Sequence, residues 1–574
     1  MNKHKAWHMV TRRDFFKMTT AGGCLAILPP FLTNSADPAM LKNRKTAKEL
    51  SADVVIAGGG LGGCAAALAA LRNGLNVVLT EETDWIGGQI TQQGVPPDEH
   101  QWIETHGATR LYRNFRAAIR NYYVRNYPLT EEARKREYLN PGNGYVSRLC
   151  HEPRVALAVL YEMLNPYISS GKLTLLVEHK AIAADIEGDK IRALKITDTR
   201  GENEKILVAP YFVDATELGD LLPLAKAEYQ TGAESRHETK EMHAPEKADP
   251  NNQQAFTVCF AMDYIKGADY TIERPVQYDF WRNYVPALTP PWAGRLLDLS
   301  YCQPATLSVK TLGFQPEGAP TGDALNLWNY RRIIHKDNFI PGTYAGDISI
   351  VNWPQNDYMS GNLDASEKIF NHHVGQAKEL NRSLMYWLQT EVPRPDGGQG
   401  WPGLRFRGDI LGTGDGMAKY PYIRESRRIK ALFTILEEHV GKENRKAISG
   451  EDKAAGFYDS VGIGYYPIDL HPSTTGDNYI DIPSLPFQIP LGALLPQRIE
   501  NLLPANKNIG TTHLTNGCYR LHPVEWGIGE AVGTLVHYAL KKKTIPRAVR
   551  EKPELLTDFQ RQIRSQGIET DWPS

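Results

Sequence analysis

Gly58, Gly60 and Gly63 stand at G-x-G-x-x-G spacing within Gly58-Gly59-Gly60-Leu61-Gly62-Gly63, and Glu81 follows 23 residues after Gly58. This set of residues can hold a dinucleotide. The first glycine permits a tight strand-to-helix turn. The second lets backbone N–H groups approach a pyrophosphate, and the third lets a helix lie close on a sheet. Gly62 belongs to the same loop. The helix that follows directs partial positive charge at the pyrophosphate. Glu81 offers a carboxylate to ribose hydroxyls and would repel a 2′-phosphate.

These residues act only if flanking elements position them. Residues 52–57 form a short apolar run suited to a buried parallel strand. Residues 64–72 are Ala-rich and favour a helix, with Gly74 as its C-cap. Residues 75–80 predict a second strand that ends at Glu81. Strand, glycines, helix, strand and acid therefore occur in the order of a mononucleotide-binding unit.

NAD and FAD both use such a unit. The next segment, Glu82-Thr83-Asp84-Trp85-Ile86-Gly87-Gly88-Gln89, resembles the flavoprotein stretch in which a second Gly-Gly pair meets the diphosphate and the chain runs on toward the isoalloxazine. The resemblance points to FAD and implies that Glu82, Gly87, Gly88 and Gln89 lie at the cofactor. Val213-Asp214-Ala215-Thr216-Glu217-Leu218-Gly219-Asp220 resembles the segment in which a strand end returns to the nucleotide, implying contacts from Asp214, Ala215 and Thr216. Here Glu217-Leu218 stands where a glycine is common. Pro523 suits the first turn of a helix that continues through Gly527, Gly529, Ala531 and Gly533. In related flavoproteins this helix points at the pyrimidine edge of the flavin, which places Gly529 with the cofactor residues.

Residues 351–358, 422–429, 459–464 and 468–472 extend the likeness, so that residues 51 to about 545 resemble the FAD-dependent oxidoreductase family of the glutathione-reductase-like (GR2-type) superfamily. The implied fold is α/β. A Rossmann-like FAD-binding domain, with a parallel sheet and a small antiparallel sheet, would carry an inserted α+β substrate domain. The Ser-His-Thr pattern of covalent flavin attachment is missing, which implies noncovalent FAD. The catalytic pattern of succinate dehydrogenase flavoproteins has no match either.

A flavin accepts hydride while a base removes the partner proton. His471, His513 and His522 lie in the segments expected nearest the flavin and are the candidate bases. Arg424, Arg428 and Arg520 could grip a substrate carboxylate or phosphate. Arg424 and Arg428 would share one face if their segment were helical. The six cysteines form no C-x-x-C pair, and no H-E-x-x-H is present, so no metal is expected.

The remaining chain sets the organisation. Residues 1–39 contain Thr11-Arg12-Arg13-Asp14-Phe15-Phe16-Lys17 before a weakly apolar stretch, and resemble a twin-arginine signal. That resemblance implies export of folded, cofactor-loaded protein to the periplasm or beyond. The first part of the FAD-binding domain is expected over 50–241, including two strands at 173–178 and 191–197 joined by a turn. A polar linker at 242–254 leads to an inserted substrate-covering domain over 255–395, with a long helix from Asp364 to Gln389. A glycine-rich catalytic loop and the rest of the FAD-binding domain occupy 396–548, and 549–574 form a tail. Lys plus Arg number 65 and Asp plus Glu 66, so no net basic field exists to attract nucleic acid. No apolar run reaches the roughly 18 residues of a membrane span.

The expected function is oxidation of a small polar substrate, sugar-like or a hydroxy or carboxylate compound, by hydride transfer to FAD. A second dinucleotide motif for a nicotinamide is missing, so electrons would pass to oxygen, a quinone or a redox protein. The alternative is a flavin-bearing binding or electron-transfer subunit without its own substrate oxidation. A weaker third option is a carbohydrate-processing enzyme that uses the flavin structurally.

Overall fold

The computed structural model describes residues 48–317 and 324–573. The twin-arginine segment at 1–39 lies outside them. Five parallel strands form the central sheet: β1 (Val54–Ala57), β2 (Val77–Thr80), β3 (Leu173–Leu176), β4 (Tyr211–Asp214) and β5 (Leu502–Pro504). Their order is β5-β4-β1-β2-β3. All of β1 and β2 is buried, as expected for parallel strands covered on both faces. Helix α1 (Leu61–Arg72) follows β1 directly and is buried at every position but the last. Gly74, in left-handed conformation at φ +91°, turns the chain back to β2.

A second sheet pairs Lys48–Ser51, Glu204–Val208, Lys190–Asp198 and His179–Glu187. Here the structure corrects the expected hairpin. The partner of Lys190–Asp198 is His179–Glu187, whereas residues 173–176 join the parallel sheet as β3. Glu178 adopts φ +55° between them, and that left-handed residue breaks one long β-prone run into two strands of different sheets.

The inserted region has its own antiparallel sheet of Arg332–Ile334, Ile348–Val351, Phe260–Tyr264 and Leu404–Phe406. Its last strand comes from beyond residue 395. Helix α2 (Glu367–Thr390) starts at Ser366, whose side chain accepts the Ile369 N–H, and buries Ala377, Leu380, Leu384 and Leu388. These pack into a separate core with Trp281, Trp292, Trp328 and Trp353. Helices α3 (His513–Tyr519) and α4 (His522–Lys542) complete the chain's return to the nucleotide end of the sheet.

Helix α4 lies directly on α1. A Cβ on Gly529 would stand 2.0 Å from Gly62 O, and one on Gly533 would stand 2.2 Å from Ala66 O. Gly529, placed above with the cofactor residues, thus serves helix–helix approach. An alanine there would force the helices apart, an overpacking effect of about 1–3 kcal/mol.

Candidate active site

The glycine loop forms as its spacing requires. Gly58 has φ +96°, and a Cβ there would fall 2.2 Å from Ala215 O. A Cβ on Gly63 would meet Gly58 O at 2.0 Å. The second glycine pair is tied to the first, since Gly87 N–H donates to Gly59 O at 2.7 Å. Gly87 and Gly88 both have positive φ, at +112° and +58°. A cavity of about 430 Å³ opens beside these loops, lined by Gly58, Gly60, Glu81, Glu82, Ala215 and Thr216 among others. It sits at the C-terminal ends of parallel strands, where open α/β sheets bind ligands.

Glu81 closes β2 with its carboxylate turned inward. Oε2 accepts the Gly59 N–H at 3.0 Å, and Oε1 accepts Thr83 N–H and Oγ1–H at 2.8 and 3.0 Å. Burial pushes its carboxyl up to about 8. Glu82 faces Lys180 at 3.8 Å, and burial raises its carboxyl too. Asp214 is wholly buried and holds its own turn, accepting from Thr216 N–H and Oγ1–H and from Leu221 N–H. Its contribution is to fix the Ala215-Thr216 backbone against Gly58.

Three charged residues missed by the sequence reading meet in this cradle. Lys507, fully buried in the loop after β5, donates to Glu217 Oε2 at 2.5 Å. Glu217 Oε1 has no partner and lies 3.1 Å from the Cβ positions of both Gly60 and Gly88. Glu525, in the first turn of α4, accepts the Gly62 N–H at 2.9 Å and is also hydrogen-bonded to Gln89 Nε2. Burial pushes Glu525 up to about 7, opposed by nearby Lys507. A lone lysine at the C-terminal end of a parallel strand was the available sequence signal. Glu525 gave none, since helix first turns are commonly acidic.

The residues fit FAD. The glycines leave room where side chains would block a diphosphate. Gln89 Oε1, both amide atoms of Gln93, Glu217 Oε1 and His522 Nε2 are buried without a hydrogen-bond partner. Buried polar atoms in that state are expected where a polar ligand supplies the missing partners.

Next to this cradle, six residues from four distant segments close a ring. Arg424 Nη2 lies 3.0 Å from Asp357 Oδ1, and Asp357 Oδ2 lies 2.6 Å from His471 Nδ1. His471 Nε2 is 3.8 Å from Asp469 Oδ2, which pairs with Arg520 Nη2 at 3.0 Å. Arg520 Nη1 donates to the Tyr422 hydroxyl at 2.7 Å, and Arg424 stacks over the Tyr422 ring. Most of the ring is buried, but the side chains of His471 and Asp469 are 21% and 18% exposed. Gln89 Nε2 donates to Arg520 O at 3.0 Å and so joins the ring to the second glycine pair. Arg331 and Asp98 pair alongside at 3.4 Å.

The candidate bases have three different fates. His471 belongs to the ring. His513 is locked away: its Nδ1 lies 2.9 Å from both oxygens of Glu425, which also pairs with Arg428. Burial disfavours its charged form, but Glu425 overrides this and raises the His513 pKa. His522 is fully buried, and its Nδ1 accepts the Asp98 N–H, which leaves Nε2 as the protonated nitrogen. Burial pushes it down to about 4, so it is a neutral donor and not a proton acceptor.

Arg424 and Arg428 do not share a helical face. Residues 422–427 form no helix, and Arg428 opens a two-residue strand paired with Gln230. Arg424 reaches Ala255 O, Thr257 and Asp357, whereas Arg428 reaches Glu234 and Glu425. Arg424 and Arg520 share the ring, and Arg428 lies with His513. Among the described residues no group of three or more His, Cys, Asp or Glu side chains could hold a metal ion, and no helix is long and apolar enough to cross a membrane.

Comparison with known proteins gives the family. No curated protein matches the chain. Among solved structures, the L-proline dehydrogenase of P.horikoshii is similar at 16% identity, over 34% of this chain and 27% of that one, with a TM-score of 0.18. The p-nitrophenol 4-monooxygenase of Pseudomonas putida DLL-E4 is similar at 11% identity, over 91% of this chain and 88% of that one, with a TM-score of 0.34. The glycerol-3-phosphate dehydrogenase of Bacillus halodurans, complexed with FAD, is similar at 14% identity, over 37% and 40%, with a TM-score of 0.22. The chain thus spans well under half the length of the two dehydrogenases. Residues 53–563 match the description of the FAD dependent oxidoreductases, and the chain belongs to that family, with FAD as its cofactor.

Proposed function

We propose that the chain is an exported enzyme that oxidises a small polar molecule at the His471 ring, with FAD held noncovalently in the glycine cradle. Export rests on Thr11–Lys17. The observation that carries the catalytic reading is the Gln89 bridge from Gly88 to Arg520, which sets the ring beside the path expected for the isoalloxazine.

Asp357 holds the Nδ1 side of His471 and leaves Nε2 on the exposed edge. This is the arrangement of an oriented general base. Bound FAD supplies the hydride acceptor. His471 Nε2 takes the proton of a substrate hydroxyl while the adjacent C–H leaves as hydride and C=O forms. Asp357 and Asp469 stabilise the imidazolium. The two electrons, with the hydrogen that travelled as hydride, would pass to oxygen, a quinone or a redox protein, and His471 returns its own proton to solvent. His522 Nε2–H and Gln89 offer hydrogen bonds on the cofactor side.

The test is anaerobic mixing of the yellow protein with pooled sugars, hydroxy acids and amines. Bleaching of the flavin band by one pool supports substrate oxidation. A flavin that no pool bleaches but a reduced redox protein does bleach favours the electron-transfer reading.

A further inference from the structure

Helix α1 begins where a diphosphate is expected, and the N–H groups of its first turn have no partners within the helix. One of these donors is already taken by a carboxylate. Glu525, from the first turn of α4, accepts the Gly62 N–H at 2.9 Å on Oε1, and its Oε2 is bonded to Gln89 Nε2. Both donors are neutral, and Glu525 has no ion-pair partner among the described residues. It is wholly buried, with Cγ 3.2 Å from where a Cβ of Gly62 would stand.

The cradle is already rich in negative charge. Glu217 Oε1 stands 3.1 Å from the Cβ positions of Gly60 and Gly88, and Glu81 Oε2 accepts the Gly59 N–H at 3.0 Å. Against Glu81, Glu217 and Glu525 stands the buried ammonium of Lys507, which is bound to Glu217 at 2.5 Å and to Asn506 Oδ1 at 3.0 Å. The Cys64 thiol beneath the loop adds no cation; burial and the charges of Glu81 and Glu525 raise its pKa. At the adenosine end Lys180 pairs with Glu82 and Glu367, and Arg427 pairs with Asp220. Asp214 is spent on its own turn.

FAD brings a negative charge on each of its phosphates. A buried carboxylate that gains such a neighbour is driven toward its neutral form. Glu217 keeps an ammonium, and ribose hydroxyls donating to Glu81 would favour its ionised form. Glu525 has only neutral donors, and burial already pushes its carboxyl up to about 7. Its value with FAD bound must be higher still. Between the two values, binding draws a proton from solution, and raising the pH opposes binding.

We propose that FAD enters the cradle together with a proton, which Glu525 takes, so that alkali loosens the cofactor. This rests on the noncovalent binding proposed above and is independent of the substrate. The experiment dilutes the FAD-loaded chain at a series of pH values and reads released FAD by its fluorescence. The slope of log Kd against pH counts the protons taken up on binding. The range from pH 8 to 9 keeps Glu81, pushed up to about 8 by burial, largely ionised before FAD arrives. Over that range Kd of the native chain should rise about threefold or more, or about half a proton per FAD. In Glu525→Gln the rise should vanish. A flat Kd in the native chain overturns the proposal, as does an equal rise in the folded variant. A rise lost in Glu217→Gln but kept in Glu525→Gln puts the proton on Glu217 and also overturns it. If Glu525→Gln does not fold, the slope of the native chain decides. Flavin that stays on the denatured chain overturns noncovalent binding and this proposal with it.

Discussion

His471 Nδ1 lies 2.6 Å from Asp357 Oδ2, and that contact is the only one in the ring that both fixes an imidazole and leaves its other nitrogen on the exposed edge. Asp357 is itself held by Arg424 and Thr257, so its carboxylate cannot swing away. Arg424 and His471 beside it keep its carboxyl below the usual range despite burial.

Asp357 therefore acts on the reaction through His471. Asp357→Asn should retain FAD and bind substrate near normally, while flavin reduction at saturating substrate slows by about 100-fold. Stopped-flow rates and a separate binding isotherm check the split. A variant that loses binding but not the saturated rate would show that Asp357 only shapes the pocket.

His513 is expected to serve stability. Its folded pKa is raised, so its stabilising contribution is full below the ordinary value near 6.5 and is lost as pH rises through the folded value. Glu425 is lowered, so its part is present above about 4.5 and lost on acidification. His513→Gln should remove about 1.5–3 kcal/mol and flatten the alkaline fall in Tm. Melting curves from pH 5 to 9 measure both, and an unchanged pH slope counts against the pairing.

Glu81 should anchor only the adenosine end. Glu81→Ala is expected to weaken FAD about 10- to 150-fold, equivalent to about 1.5–3 kcal/mol. Once saturated with FAD, the variant should be reduced at a near-normal rate. Titration of apoprotein with FAD gives the first number and stopped-flow gives the second.

Lys507 carries an ammonium tied to the glycine cradle through Glu217. Lys507→Ala leaves Glu217 buried and unpaired beside the diphosphate path, and FAD affinity should fall tenfold or more. Adding Glu217→Gln should restore part of it. No recovery in the double variant would separate the lysine's effect from that carboxylate.

Much of the cofactor cradle was legible because it is local in sequence. Glycines at 58, 60 and 63 and an acid at 81 must lie together once two short parallel strands and one helix form. The ring was not, because Asp357, Tyr422, Asp469 and Arg520 meet only through the fold. The segment at 422–428 shows the physical reason. Arg424 and Glu425 point to opposite sides, toward Asp357 and His513 respectively, as in extended chain. Besides the local Glu425–Arg428 pair, Arg424, Glu425 and Arg428 found partners in Asp357, His513 and Glu234 on other segments, and that tertiary pairing overrode the helical spacing of the arginines.

The most direct test of the account is the anaerobic rate of flavin reduction in His471→Ala, His513→Ala and His522→Ala, each saturated with FAD and checked for folding. The account predicts a loss of about 100-fold or more in His471→Ala, a near-normal rate in His513→Ala, and an intermediate loss in His522→Ala. A normal rate in His471→Ala, with the large loss in either of the others, would contradict it.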